Sequence, residues 1–125
     1  MIKDNSDIYF SVIIPLYNKE KSVSSTVESV LNQSYTHFEL IIVNDGSTDN
    51  SLEVVQQFND PRIRIIDKRN GGVSSARNVG IKAAKYEYLI PLDADDLWLP
   101  FALAEFEALV RNYPNAQVFC TSSCI

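Results

Sequence analysis

The sequence predicts an α/β domain with a mostly parallel sheet, and three observations predict it. Apolar, β-branched runs alternate with segments whose apolar residues recur at helical spacing. The runs lack in-and-out alternation, as strands covered on both faces do. Turn-forming and acidic residues gather just after the runs, where the loops of such a sheet lie.

Tyr9 to Leu16 reads as the first buried strand, a short β-branched, apolar run that ends at a proline. Val23, Val27, Val30 and Leu31 then recur at helical spacing, with Ser22, Ser25, Glu28 and Asn32 on other faces, which predicts an amphipathic helix over that strand. Phe38 to Val43 is the second buried strand. The dense turn Asn44 to Asn50 follows, and Leu52, Val55 and Phe58 mark a second helix; Asn50 with Glu53 fits a capping box. Arg62 to Asp67 alternates charged and apolar residues, as an outer strand covered on one face would. Gly71-Gly72 opens a helix running to about Lys85, and Tyr88 to Leu92 is another buried strand, ending in Asp93-Ala94-Asp95-Asp96. After Pro100, Phe101, Leu103, Phe106, Leu109 and Val110 predict a further helix, and Gln117 to Cys120 a last short strand. Strand and helix alternate throughout, the pattern of a parallel sheet with helical crossovers.

The bulk numbers suit one soluble domain over residues 1–125: 46% hydrophobic and 22% charged residues. The net charge of −5 and a pI near 4.7 argue against a nucleic-acid partner. They also disfavour unassisted binding of a polyanion, so a diphosphate ligand would need a mediating cation. No stretch reaches the ~18 to 20 apolar residues of a membrane helix, and Met1 to Asp7 has no signal-peptide pattern. Cys120 and Cys124 read as two reduced thiols, which predicts a cytoplasmic protein. His37, the sole histidine, reads as a surface residue in the turn before the second strand.

The chemically unusual residues fall at the carboxyl ends of the strands. Asp93, Asp95 and Asp96 put three carboxylates within four residues, a repulsive cluster that a divalent cation would reverse. Hard oxygen ligands suit Mg²⁺ or Mn²⁺ shared with phosphate oxygens and water. The competing reading is a helix N-cap by Asp95 or Asp96, which would need one aspartate rather than three. Asp45, where a strand becomes a turn, can accept from the imide N–H of uracil or from a ribose hydroxyl, or can close an Asx-turn. Gly46 would let a ligand approach the backbone. Tyr17 offers a ring to stack on a base, or forms the wet edge of the core. Gly71-Gly72 begins a helix whose amides attract anions, with Arg77 one turn inside, placed to meet phosphate or to hold a rim aspartate.

On these residues the chain resembles the N-terminal segment of family 2 glycosyltransferases of the GT-A fold, over about residues 9–112. The carrying motifs are Ser11-Val12-Ile13-Ile14-Pro15-Leu16-Tyr17-Asn18, Leu40-Ile41-Ile42-Val43-Asn44-Asp45-Gly46-Ser47-Thr48-Asp49, Asn70-Gly71-Gly72-Val73-Ser74-Ser75-Ala76-Arg77-Asn78, and Asp93-Ala94-Asp95-Asp96. The resemblance implies a Rossmann-like GT-A three-layer sandwich, truncated on its C-terminal side. It implies a nucleotide-sugar donor, UDP-linked, bound by Pro15, Tyr17, Asn18, Asp45, Gly72, Arg77 and Asp93, with Asp95 or Asp96 on a Mg²⁺ or Mn²⁺ ion. The sugar would pass with inversion to a hydroxyl of a glycan or lipid-linked acceptor. Asn44 stands where many relatives carry a second aspartate. The general base and acceptor pocket are expected beyond Ile125, and any contact with a membrane surface would come through those regions. The sheet edge left open predicts pairing with another copy. The alternative function is a module that binds nucleotide-sugar without transferring it. A receiver-like phosphoacceptor domain fits poorly, because the first strand ends in Pro15-Leu16-Tyr17-Asn18 rather than paired carboxylates. Dinucleotide and P-loop folds lack their glycine signatures here.

Overall fold

A computed structural model describes residues 7–115. Four strands, β1 (Phe10–Leu16), β2 (Phe38–Asp45), β3 (Ile63–Lys68) and β4 (Tyr88–Pro91), form one sheet in the order β3-β2-β1-β4 with every pairing parallel. Parallel neighbours need long crossovers, and helices α1 (Val23–Leu31), α2 (Ser51–Gln56) and α3 (Val73–Ala83) supply them, while α4 (Ala102–Asn112) follows β4. The strand expected at Gln117 to Cys120 lies outside the described residues, as do both cysteines.

The period-2 geometry of the central strands sorts their side chains into two cores. Val12, Ile14 and Leu16 of β1 with Leu40 and Ile42 of β2 face α1, α2 and α4, meeting Val23, Val27, Val30, Val55, Leu103 and Val110. Ile13, Ile41 and Val43 face the other way, onto Ala76 of α3. The result is three layers with the sheet in the middle, so β1 and β2 are buried along their whole length. Edge strand β3 is only half-buried, as its charged and apolar alternation predicts.

Helix α3 lies close on the sheet because Gly80 carries no side chain. A Cβ there would stand 2.5 Å from Cγ2 of Ile13 and 3.4 Å from Cγ2 of Val43. Gly80→Ala is therefore expected to lower stability by about 1 kcal/mol: roughly 2 lost to overpacking, the middle of the usual range, less about 1 gained in helix propensity. Urea denaturation reads this directly, and a neutral or stabilising Gly80→Ala would mean that the helix has room to lift.

Several boundaries differ from expectation for local reasons. β2 runs two residues further, to Asp45, because β3 keeps pace in register as far as Asn44↔Asp67 and Asp45↔Lys68. β3 starts after Arg62, whose guanidinium instead pairs with Asp60 at 2.9 Å and covers the Phe38 ring at 4.4 Å. α2 stops at Gln56, leaving Phe58 to pack on the core from the following loop. The Asn50–Glu53 capping box does not form. Asp49, one residue earlier, accepts the Ser51 N–H at 2.8 Å and takes the capping place, while the Asn50 side chain makes no cap bond. α3 ends at Ala83 rather than Lys85, because the Lys85 amide donates to the buried Glu39 carboxylate at 2.6 Å. Glu39 also accepts from Ser11 Oγ at 2.6 Å and Arg64 at 3.0 Å, so its charge is well partnered. No helix begins at Asp95 or Asp96, which removes the N-cap reading of that cluster.

Candidate functional site

At the carboxyl ends of β1, β2 and β4 the loops enclose a cleft of about 520 Å³, a common size for a small-molecule site. Its walls include Pro15, Tyr17 and Lys19 from the end of β1, Asp45 from β2, Asn70, Gly72 and Val73 at the start of α3, and Asp93 and Asp95 after β4. Asp45 and the acidic cluster thus share one pocket.

Asp45 is 2% exposed, and its carboxylate organises the loop that follows β3. It accepts from Lys68 Nζ at 2.7 Å, from the Gly71 and Gly72 amides at 2.9 Å each, and from Asn70 Nδ2 at 3.3 Å. Burial alone would raise its pKa. The Lys68 hydrogen bond, the two glycine amides and the ammonium charge together outweigh burial and hold the carboxyl below the ordinary range. Gly46, at φ 69°, permits the close approach: a Cβ there would lie 2.6 Å from the Asn70 nitrogen.

Asn18 does different work from its neighbour Tyr17. It adopts φ 50°, a left-handed conformation that asparagine tolerates better than most residues. From there its backbone N–H donates to Ser47 Oγ at 3.0 Å and its Nδ2 to Thr48 Oγ1 at 3.2 Å, while its Oδ1 accepts the amides of Thr48 and Asp49 at 2.8 and 3.3 Å. The next two amides continue the seam, Lys19 to Ser51 Oγ and Glu20 to Asp49. Asn18 therefore joins the β1–α1 loop to the β2–α2 loop and does not line the cleft. Tyr17, 46% exposed, leaves its ring available at the cleft wall.

On the opposite rim each of Asp93, Asp95 and Asp96 offers an oxygen, all within 4.8 Å of one another. Opposed ligands of a hexacoordinate Mg²⁺ at ~2.1 Å stand ~4.2 Å apart, so slight side-chain rotation would gather these oxygens around one ion. Burial raises the Asp96 pKa above the ordinary carboxylate range, and the charges of Asp93 and Asp95 add to it. Two cations face the three carboxylates: Lys19 Nζ is 3.3 Å from Asp95, and Arg77 Nη2 is 3.0 Å from Asp93. The rim stays net acidic, and a diphosphate placed there would meet uncompensated negative charge without a divalent ion.

Of the residues singled out from sequence, Pro15, Tyr17, Asp45, Gly72, Asp93 and Asp95 line the cleft. Arg77 and Asp96 line a smaller adjoining pocket of about 230 Å³ with Asp93, Trp98 and Phe106. Arg77 pairs with the rim aspartate, one of its two expected roles. Lys19 and Lys68 carry no expectation from the sequence, and Asn70 enters it only as the first residue of its motif. Lys19 directly follows the strand-end motif, which is the signal that would have found it.

An open parallel sheet with an aromatic wall and an acidic rim across one carboxyl-end cleft defines a Rossmann-like α/β ligand-binding domain. The chain belongs to glycosyl transferase family 2, whose family model matches residues 11–123. It is 46% identical over 110 residues to the uncharacterized glycosyltransferase EpsJ of Bacillus subtilis, a match covering 86% of this chain and 31% of that one. The fold superposes on Staphylococcus aureus TarS in complex with UDP-GlcNAc with a TM-score of 0.80 at 28% identity, covering 92% of this chain and 38% of TarS. It also matches the mannosyltransferase PcManGT of Pyrobaculum calidifontis in complex with GDP-Man and Mn²⁺, with a TM-score of 0.68 at 25% identity, over 71% of this chain and 28% of that one. The chain thus spans about a third of the length of such relatives. No helix among the described residues is long and apolar enough to cross a membrane.

Proposed function

We propose that this chain is the donor-binding part of an enzyme that transfers a sugar from a UDP-linked donor to a hydroxyl of a glycan or lipid-linked acceptor, inverting the anomeric carbon. The observation that carries the reading is the single cleft with Tyr17 and Asp45 at one end and Asp93 and Asp95 at the other, with Asp96 within reach of both from the adjoining pocket. The base lies against the Tyr17 ring, its imide N–H directed to Asp45 in place of Asn70, whose bond is the longest of the four on that carboxylate, and the ribose reaches Asp93. Asp95 and Asp96 hold Mg²⁺ or Mn²⁺, which when bound neutralises the diphosphate and stabilises its charge as it leaves. Lys19, drawn from Asp95 toward phosphate oxygens, adds a second positive group. The bound UDP-GlcNAc of TarS and the Mn²⁺ of PcManGT support the choice of ligand and ion.

Isothermal titration of UDP into the chain tests the reading. Binding is expected with Mn²⁺ and at least about tenfold weaker binding without it, the difference being the ion's share of the diphosphate interaction. Folded protein that takes up no UDP in either condition would overturn the assignment.

A further inference from the structure

Ser22, Thr26, Ser29 and Gln33 follow one another at separations of four, three and four residues, which puts them on one face of α1 and its immediate flanks. All four bond to the backbone of residues 94–103, the stretch that carries the acidic rim into α4. Ser22 Oγ and Thr26 Oγ1 both donate to the Ala94 carbonyl, at 3.1 and 3.0 Å. Ser29 Oγ accepts the Trp98 amide at 3.2 Å. Gln33 donates Nε2 to the Leu99 carbonyl at 2.7 Å and accepts the Leu103 amide on Oε1 at 2.9 Å. That last bond satisfies an amide in the first turn of α4, whose own N-cap residue, Phe101, provides no side-chain cap. Thr26 is fully buried and Gln33 is 4% exposed.

Polar groups on a buried helix face cost desolvation unless fully bonded, and an apolar face would have packed the same segment without that cost. What hydrogen bonds add is direction, because apolar contact is non-directional while a donor and acceptor must meet within a narrow range of distance and angle. Residues 94–99 have little regular structure to orient them. The planar peptide between Ala94 and Asp95 is held by two hydroxyls on its carbonyl oxygen, and this fixes the direction in which the Asp95 side chain leaves the backbone.

We infer that this polar stripe is the positioning element of the acidic rim: Ser22 and Thr26 aim Asp95 and Asp96 at the ion, while Ser29 and Gln33 hold the following segment in register. The inference rests on the proposed metal site for its functional reading. None of the four residues lines the cleft, so they act through the loop rather than on the ligand.

The test compares the chain with Thr26→Val, which is nearly isosteric but lacks the hydroxyl, with Ser22→Ala/Thr26→Val, and with Thr26→Ser as the conservative control. Manganese binding followed by electron paramagnetic resonance should weaken about tenfold or more in the double variant and recover in Thr26→Ser, as expected for outer-sphere partners of metal ligands. UDP binding without metal should stay within about twofold, since Tyr17 and Asp45 are untouched, a split that general destabilisation would not produce. Amide hydrogen exchange at Asp96 and Trp98 should accelerate about tenfold while β1 and β2 keep their protection. A folded double variant that binds Mn²⁺ and exchanges like the parent would overturn the inference. Should the parent itself bind no Mn²⁺, the proposed metal site falls and the exchange rates alone decide whether the stripe holds the loop. If the double variant does not fold, Thr26→Val alone is read by the same measurements.

Discussion

Replacing Asp45 with alanine is expected to destabilise the fold by about 3 kcal/mol, near the lower end of the range for breaking a buried ion pair. The carboxylate accepts from Lys68, Asn70, Gly71 and Gly72 at once. Its removal strands the Gly71 and Gly72 amides, although Asn70 keeps its bond to the backbone carbonyl of residue 45 at 2.9 Å. The Lys68 side chain, 18% exposed, can still reach water, which keeps the loss from being larger. Against a typical total of about 5–15 kcal/mol, the deficit should show as a clear fall in the urea midpoint, with UDP affinity lost alongside it. A change below about 1 kcal/mol would mean the loop is held by something else. The pH dependence carries a sign. Because the folded pKa of Asp45 is depressed, its stabilisation is complete well above the unfolded value of about 3.9 and disappears as pH falls through the lower folded value. The stability gap between the parent and Asp45→Asn should therefore be constant near neutrality and narrow below about pH 4.

The Asp95→Asn/Asp96→Asn double substitution is expected to act in the opposite way, abolishing function while leaving stability in place. Two of the three proposed anionic ligands lose their charge, so UDP affinity in the presence of Mn²⁺ should fall about tenfold or more, to the level seen without the ion, equivalent to at least about 1.4 kcal/mol. The melting temperature should hold or rise slightly, because the Asp96 carboxyl is already disfavoured as an anion by burial and by its neighbours. Asp95 is half-exposed, with only a surface pairing to Lys19 to lose. Paired titration and thermal unfolding of the same samples check both halves. Unaltered metal-dependent binding would remove these carboxylates from the site.

Much of the architecture was legible because it depends on patterns local in sequence. The apolar, β-branched runs over residues 12–14 and 40–43 and the spacing of Val23, Val27 and Val30 need only the strand and helix periods to be read. The acidic rim was legible for the same reason, since three carboxylates in four residues are conspicuous without a structure. What escaped depends on distant partners. Asp45 could be placed at a strand end, but its bonding could not be foreseen, because Lys68 to Gly72 lie 23 to 27 residues away. The Asn50–Glu53 pattern misled because an equally good capping residue, Asp49, sits beside it, and local rules do not rank two neighbours that tertiary contacts separate. Thr26, Ser29 and Gln33 drew no expectation from the helical pattern, although Thr26 is fully buried with its hydroxyl on the Ala94 carbonyl.

The seam around Asn18 sets how the cleft can admit a ligand. Prying the loop after β1 away from the loop after β2 would break the bonds from Asn18, Lys19 and Glu20 together, so Tyr17 and the turn at Gly46 travel as one jaw. Across the gap the backbone of the facing jaw is held at Ala94 by Ser22 and Thr26, while its carboxylates are held by half-exposed charge pairs, chief among them Lys19 with Asp95. An incoming polyanion competes for those same cations, which makes its own charge the key that loosens the latch on the side where it must enter.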